Sequence, residues 1–340
     1  MKQIAILASA LGFIFIIGCT EEYIPVSPSD SNVHRYKKQA IEIVRVGLMD
    51  KDALVRTHSI EVVSSTNTIQ LMPLVLKLTK SRAVPVRFAA AMAMGDVKYT
   101  ASEYTLKEML QDKDENVRIA AAYSLMKLGV ANHHDKLMGA LSSNDPTVQA
   151  NAALLIGKLD YKPAIEVLYK LINNPNSNDM VRIQAVESIA MLGDERVYGR
   201  LWTMLISKYA DDRIMGIRAM GALGTKNAKD AIMKQLYHIE EVSNEDPKNL
   251  GNEDITVRLC AAEQLGKLGI KAGEEEVLKY FSTVTYSLDK LPSIPNNQIA
   301  IMAIGRINGR NLNRHLPKLL SNKNKDLRLA AAQSLLLVVK

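Results

Sequence analysis

Three groups of residues in this 340-residue chain have types and spacings that could do chemistry. His133-His134-Asp135 brings two imidazoles and a carboxylate together. A metal ion needs three or four converging ligands, and no second His or Cys cluster stands at a matching place, so the cluster reads as a solvated connection and no metal is expected. Cys260 lies between Leu259 and Ala261. A nucleophilic or redox thiol wants exposure and a basic neighbour, whereas these flanks suit a small buried hydrophobe. Seven arginines, Arg56, Arg87, Arg118, Arg182, Arg213, Arg258 and Arg328, recur at near-regular intervals and could address phosphates. No set of residues assembles a catalytic site, and no cofactor is implied.

The arginines share a frame. Each follows a marker position, and nine markers stand at Val55, Val86, Val117, Val148, Val181, Asp212, Val257, Asn296 and Leu327, with steps of 31, 31, 31, 33, 31, 45, 39 and 31 residues. The clearest copies read DENVRIAAAYSLMKLG (114–129), NDMVRIQAVESIAMLG (178–193) and DITVRLCAAEQLGKLG (254–269). Apolar residues fall at the marker and four, five, eight and eleven places after it, which is one face of a helix, here called B. Asp52, Asp114, Asp145, Asn178, Asp254 and Asn324 stand three places before the marker as N-caps. Asn67, Gly129, Gly193, Gly224, Gly269 and Asn308 stand twelve places after it, where a left-handed residue stops the helix. A second amphipathic stretch, helix A, precedes each copy, as in KPAIEVLYKLI (162–172). Such a pair cannot bury its own apolar face, so the pairs must stack. Small residues nine places after the marker, Gly95, Gly157, Gly221, Gly266 and Gly305, would let neighbouring helices approach closely.

This unit resembles HEAT repeats of the short kind first noted in phycobilin lyases, over roughly residues 36–340. The resemblance implies an all-α, right-handed α-α superhelical solenoid of about nine repeats. It also implies that the arginines form a structural ladder, bonding to an acidic residue or helix end of the neighbouring repeat, and that the B helices line the concave face. Repeat-built di-iron hydroxylases of similar fold carry His-Glu dipeptides, which this chain lacks. With the arginines in a ladder, the formal charge of +7 leaves little surplus for a nucleic acid, and no aromatic platform alternates with cations.

The concave face would present the B-helix positions that the core does not use. Two places after the marker stand Phe88, Ile119, Ile183, Ile214 and Leu259. Six places after it stand Met92, Tyr123, Leu154, Arg218 and Met302, interrupted by Glu61, Glu187 and Glu263. The expected groove is therefore apolar with a polar rim, suited to a protein or peptide, with Phe88, Met92, Ile119, Tyr123, Leu154, Ile183, Glu187, Ile214 and Arg218 as its lining. Packing of the first set between adjacent B helices is the alternative, and the sequence weighs the two evenly.

At the N-terminus, Lys2 precedes an apolar run from Ile4 to Ile17, followed by Gly18 and Cys19. The run is too short for a spanning helix and fits a secretion signal. Ile16-Ile17-Gly18-Cys19 resembles a bacterial lipobox, which implies cleavage after residue 18, lipid on Cys19 and an envelope location, with the outer membrane favoured. Loss of Lys2 with residues 1–18 lowers the formal charge from +7 to +6. Residues 19–35, rich in Pro and Ser, read as a tether. Insertions near 238–254 and 282–297 lengthen the A–B turn in two adjacent repeats and should emerge along one edge. The last copy has no polar capping helix after it, so Leu335 to Val339 offers a surface for self-association. The expectation is a non-enzymatic, lipid-anchored binding scaffold. A phycobilin-lyase-like lyase or cofactor chaperone is the alternative, and it rests on the repeat type alone.

Overall fold

The computed structural model describes residues 32–237, 252–283 and 294–339, which are helical with no strand among them. Helix pairs follow the repeat frame. The B helices are α2 (Ala53–Thr66), α4 (Val84–Asp96), α6 (Glu115–Lys127), α8 (Pro146–Lys158), α10 (Asp179–Met191), α12 (Ala210–Leu223), α14 (Asn252–Lys267), α16 (Ile294–Ile307) and α19 (Lys325–Val338). The A helices are α1 (Val33–Leu48), α3 (Met72–Leu78), α5 (Glu103–Met109), α7 (His134–Ala140), α9 (Ile165–Asn173), α11 (Tyr198–Leu205), α13 (Lys226–Tyr237), α15 (Glu274–Thr283) and, in the last repeat, the short α17 (Arg310–Asn313) and α18 (Leu316–Leu319). No described helix is long and apolar enough to cross a membrane.

The helix ends are set as their residues require. The side chains of Asp52, Asp114, Asp145, Asn178 and Asn324 accept a backbone N–H two residues ahead. Asp254 lies inside α14, which begins at Asn252. At the other end, Asn67, Gly129, Gly193, Gly224, Gly269 and Asn308 all have positive φ. Lys98 and Asp160 take the same conformation at the equivalent places, φ 53 and 55. The stop is thus imposed by the frame even where the side chain opposes it.

Each B helix packs on its own A helix and on the B helices before and after it. A Cβ on Gly95 would lie 2.7 Å from the Ser124 Cα, and one on Gly305 2.5 Å from the Ser334 Cα. These contacts bring helices close enough for Ser124 Oγ to donate to the Ala91 carbonyl at 2.6 Å and Ser334 Oγ to the Ile301 carbonyl at 2.7 Å.

The solenoid does not end freely. Helix α19 packs on α16 on one side and on both α1 and α2 on the other, so the ninth repeat returns to the first and the B helices form a closed inner ring. Lys37 Nζ donates to the Val339 carbonyl at 3.1 Å, Lys325 pairs with Asp50 at 2.7 Å, and Gln333 Nε2 donates to Ser65 Oγ at 2.8 Å. Leu335, Leu336 and Val339 are buried. The expected self-association surface at Leu335 to Val339 is therefore a correction: the first repeat covers that apolar end within the same chain. Helix α1 starts at Val33, within the stretch expected as a tether, and Val33 and Tyr36 are already buried. Residues 1–31, including Cys19, and most of both insertions lie outside the described residues.

Candidate functional site

Ring closure turns the inner face into a lumen, and the charged side chains reveal it. Lys158 of α8 pairs with Asp96 of α4 at 2.7 Å, passing over the intervening α6. A contact that skips a repeat forms only on the concave side, where successive helices converge. Tyr123 of α6 lies beneath this pair and donates its hydroxyl to Asp96 Oδ1, with Lys158 Nζ 5.8 Å from its ring centroid. Ser64 of α2 donates to the other oxygen of Asp96 at 3.3 Å. Four consecutive B helices are joined through one carboxylate.

The opposite arc of the ring borders an open cavity of about 310 Å³. It is lined from α2, α12, α14, α16 and α19, by Glu61, Arg218, Glu263, Met302 and Gln333 at the place six after the marker, with His58, Gln298, Ile299, Asp326 and Leu329 nearer the helix starts. Glu61 keeps much of its surface open to this space. So many protein atoms crowd it, however, that lost hydration holds its carboxyl above the usual carboxylate range, against the attraction of His58 and Lys158. Glu263 is raised for the same reason, with Arg218, Arg306 and Lys267 pulling the other way. His58 Nδ1 lies 3.9 Å from Asp326 across the closing seam.

The structure sorts the expected groove residues into three fates. Leu154 and Ile183 remain outside the core, and Ile183 is 38% exposed. Glu187 is half-buried and accepts a hydrogen bond from Gln184 at 3.1 Å, while Arg218 is exposed within the lumen. Phe88, Met92 and Ile214 are half-buried and pack on the core. Ile119 and Tyr123 are corrections. Ile119 is buried, as is Leu259 at the equivalent place, and both belong to the continuous core. Tyr123 has no accessible surface, since its position lies under the Lys158–Asp96 pair, and burial pushes its hydroxyl pKa up. Of the nine apolar residues of the stripe read from the sequence, Ile119, Tyr123 and Leu259 are thus buried, Phe88, Met92, Ile214 and Met302 pack on the core, and Leu154 and Ile183 do not. The paired Asp96 and Lys158, ten places after their markers, escaped a reading that stopped at six places; continuing the helical step from six to ten would have found them.

The arginines are structural, with a change of partner. Arg56 donates to the carbonyls of Asp50 and Lys51 at 2.7 and 2.8 Å, Arg118 to those of Asp112 and Lys113 at 3.0 and 3.2 Å, and Arg328 to those of Asn322 and Lys323 at 2.6 and 2.8 Å. Arg213 and Arg182 do the same with Ser207 and Pro175. With Arg87, which donates to the carbonyls of Ser81 and Arg82, these arginines fasten the A–B turns of their own repeats, which corrects the expected inter-repeat ladder for them. Among the described residues Arg87 and Arg258 reach the next repeat, at Asp112 and Glu276.

Cys260 is a free, buried thiol pushed up to about 12 by burial. His134 and Asp135 open α7, a correction to the solvated connection, and His134 stacks on Tyr161 with centroids 4.0 Å apart. No group of three or more His, Cys, Asp and Glu suited to a metal occurs among the described residues.

Comparison with known proteins agrees with the repeat frame. Residues 71–137 and 134–221 match HEAT repeats. Protein YibA of Escherichia coli (strain K12) is 29% identical over 153 residues, covering 43% of this chain and 52% of that protein, so the match spans about half the length of that relative. An uncharacterized phycocyanin operon protein Z of Pseudanabaena tenuis (strain PCC 7409) is 23% identical over 165 residues, 46% of this chain and 82% of that protein. Among solved structures, the complex of CpcE and CpcF of phycocyanin lyase from Nostoc sp. PCC7120 aligns over 77% of this chain and 93% of that chain, at 18% identity and a TM-score of 0.41. Human deoxyhypusine hydroxylase aligns over 81% and 98%, at 14% identity and a TM-score of 0.36. The chain is a HEAT-repeat protein with distant similarity to these relatives.

Proposed function

We propose that this protein is a non-catalytic binding ring of the bacterial cell envelope, held to a membrane by lipid on Cys19, which takes an extended protein or peptide segment on its inner face. The observation that carries this reading is the pair Leu154 and Ile183, apolar side chains on adjacent B helices that the core does not use. A contiguous apolar patch held outside a core marks a contact site.

Affinity capture from gently solubilised envelopes tests the reading, comparing the native chain with a variant carrying Leu154→Glu and Ile183→Glu after circular dichroism shows equal helicity. A partner held by the native ring and lost from the variant is the expected result. Identical partner sets would move the binding surface off the inner face. Lipid on Cys19 is tested separately: labelled fatty acid should enter the native chain and not a Cys19→Ser chain, which should leave the membrane fraction.

A further inference from the structure

The outer wall of the ring is unevenly charged. Six of the A helices, α5, α7, α9, α11, α13 and α15, carry eight Lys and Arg against eight Asp and Glu. Where the chain closes, the A segments of the ninth, first and second repeats, residues 310–319, α1 and α3, carry eight against one. These segments come from opposite ends of the chain and form one wall only because α18 packs on α19, α19 on α1, and α1 on α3. Arg35, Lys38, Lys77, Arg310, Arg314 and Lys318 are exposed on it. The single acid, Glu42, is paired with Arg45. Such a one-signed surface attracts an anionic one.

Two further observations select a lipid surface. Exposed apolar side chains accompany the cations: Val46 and Met49 at the end of α1 and Leu54 at the start of α2. They stand beside a groove of about 300 Å³ lined by Ile43, Val46, Val55 and Leu329 together with Lys325 and Arg328. Cations interspersed with apolar side chains suit a membrane interface, where the first meet headgroup phosphates and the second dip below them. A nucleic-acid single strand calls for exposed aromatic rings, and the exposed face of α1 carries no Phe, Tyr or Trp. The second observation is the place where the chain enters the wall. Thirteen residues, 20–32, separate Cys19 from the start of α1 at Val33, a reach of at most about 45 Å, so lipid on Cys19 would tether the ring by this wall.

We propose that the wall formed by α1, α3 and residues 310–319 docks on an anionic lipid surface, with its cations against headgroup phosphates and Val46, Met49 and Leu54 against the upper acyl chains. The proposal rests on the envelope reading above and gives the ring an orientation. Docked by its side, the ring keeps its lumen clear of the bilayer.

Vesicle flotation tests this on the full-length Cys19→Ser chain, which carries no acyl lipid. The apolar run 4–17 is common to every variant, and neutral vesicles read its share. Phosphatidylcholine vesicles with about a third phosphatidylglycerol should bind the chain more tightly than pure phosphatidylcholine, and the excess should fall as salt rises. Lys38→Glu with Arg314→Glu should lower that excess roughly tenfold or more. Lys136→Glu with Lys170→Glu, on the evenly charged wall, should leave it unchanged, with equal melting of both variants as the control for folding. Met49→Ser with Leu54→Ser should also weaken binding to the anionic vesicles. No excess on anionic vesicles, or equal loss from the two charge variants, overturns the docking wall. Binding that ignores Met49→Ser with Leu54→Ser, or a DNA duplex that competes the vesicles away, makes the wall a general polyanion surface and overturns its assignment to lipid. Absence of labelled fatty acid from the native chain overturns the anchor instead, and the vesicle assay does not depend on it, so the two failures are separable.

Discussion

Lys37, in the first helix, donates its ammonium to the carbonyl of Val339, 302 residues away at the end of the last helix. That bond lies on a seam where a chain of nearest-neighbour contacts meets its own beginning. In an open solenoid the terminal repeats each expose one apolar side; here each covers the other.

The seam's stability comes from its apolar contacts. Leu335 is fully buried, whereas Lys325 is exposed. Leu335→Ala should cost about 2–5 kcal/mol, and Lys325→Glu, which breaks the pair with Asp50, under about 1 kcal/mol. Urea denaturation followed by circular dichroism checks both.

Arg87 and Arg118 occupy the same place in adjacent repeats, so they make a matched pair of tests. Arg118→Ala removes hydrogen bonds to two turn carbonyls and should cost about 1–3 kcal/mol. Arg87→Ala also strands Asp112, whose carboxyl is held below its usual range by the hydrogen bonds of Arg87 against the effect of burial. That variant should lose about 3–5 kcal/mol, measured in the same denaturation experiment.

The fold was legible in the sequence because its signal is repeated. A cap such as Asp114 and a stop such as Gly129 each recur in frame, so a local reading corrects itself from copy to copy. Closure was not legible. Whether nine repeats meet depends on small rotations between neighbours that no single residue encodes, and the uncapped LRLAAAQSLLLVVK end looked like a surface for another molecule when it was a surface for α1. Tyr123 failed for a related reason. Its register places it on the inner face, but only the Lys158–Asp96 bridge, made across 62 residues, shows that it is covered.

Glu61 gives a pH test with a definite sign. Its folded pKa is raised above the unfolded value, so its contribution to stability is present in full below the unfolded pKa and is lost as pH rises through the folded one. Glu61→Gln should therefore raise the melting temperature at pH 7, and the gain should disappear as pH falls below the ordinary carboxylate pKa. A gain that persists in acid would mean that the carboxylate's charge is not what strains the lumen.

Cys260 should be silent to thiol reagents in the folded ring, since burial holds its thiol up to about 12. In a Cys19→Ser chain, a colorimetric thiol assay should find no reactive group under native conditions and one after unfolding in guanidinium.

Closure itself is most directly tested by crosslinking. Ser65 and Gln333 touch at 2.8 Å although 268 residues separate them. In a Cys19→Ser background, Ser65→Cys and Gln333→Cys should be joined within single chains by a short bis-maleimide at high dilution, with a tryptic peptide spanning both sites in mass spectrometry. Recovery of only singly modified peptides, or of crosslinks between chains alone, would mean that the ends do not meet and that the ring, with its lumen, does not exist in solution.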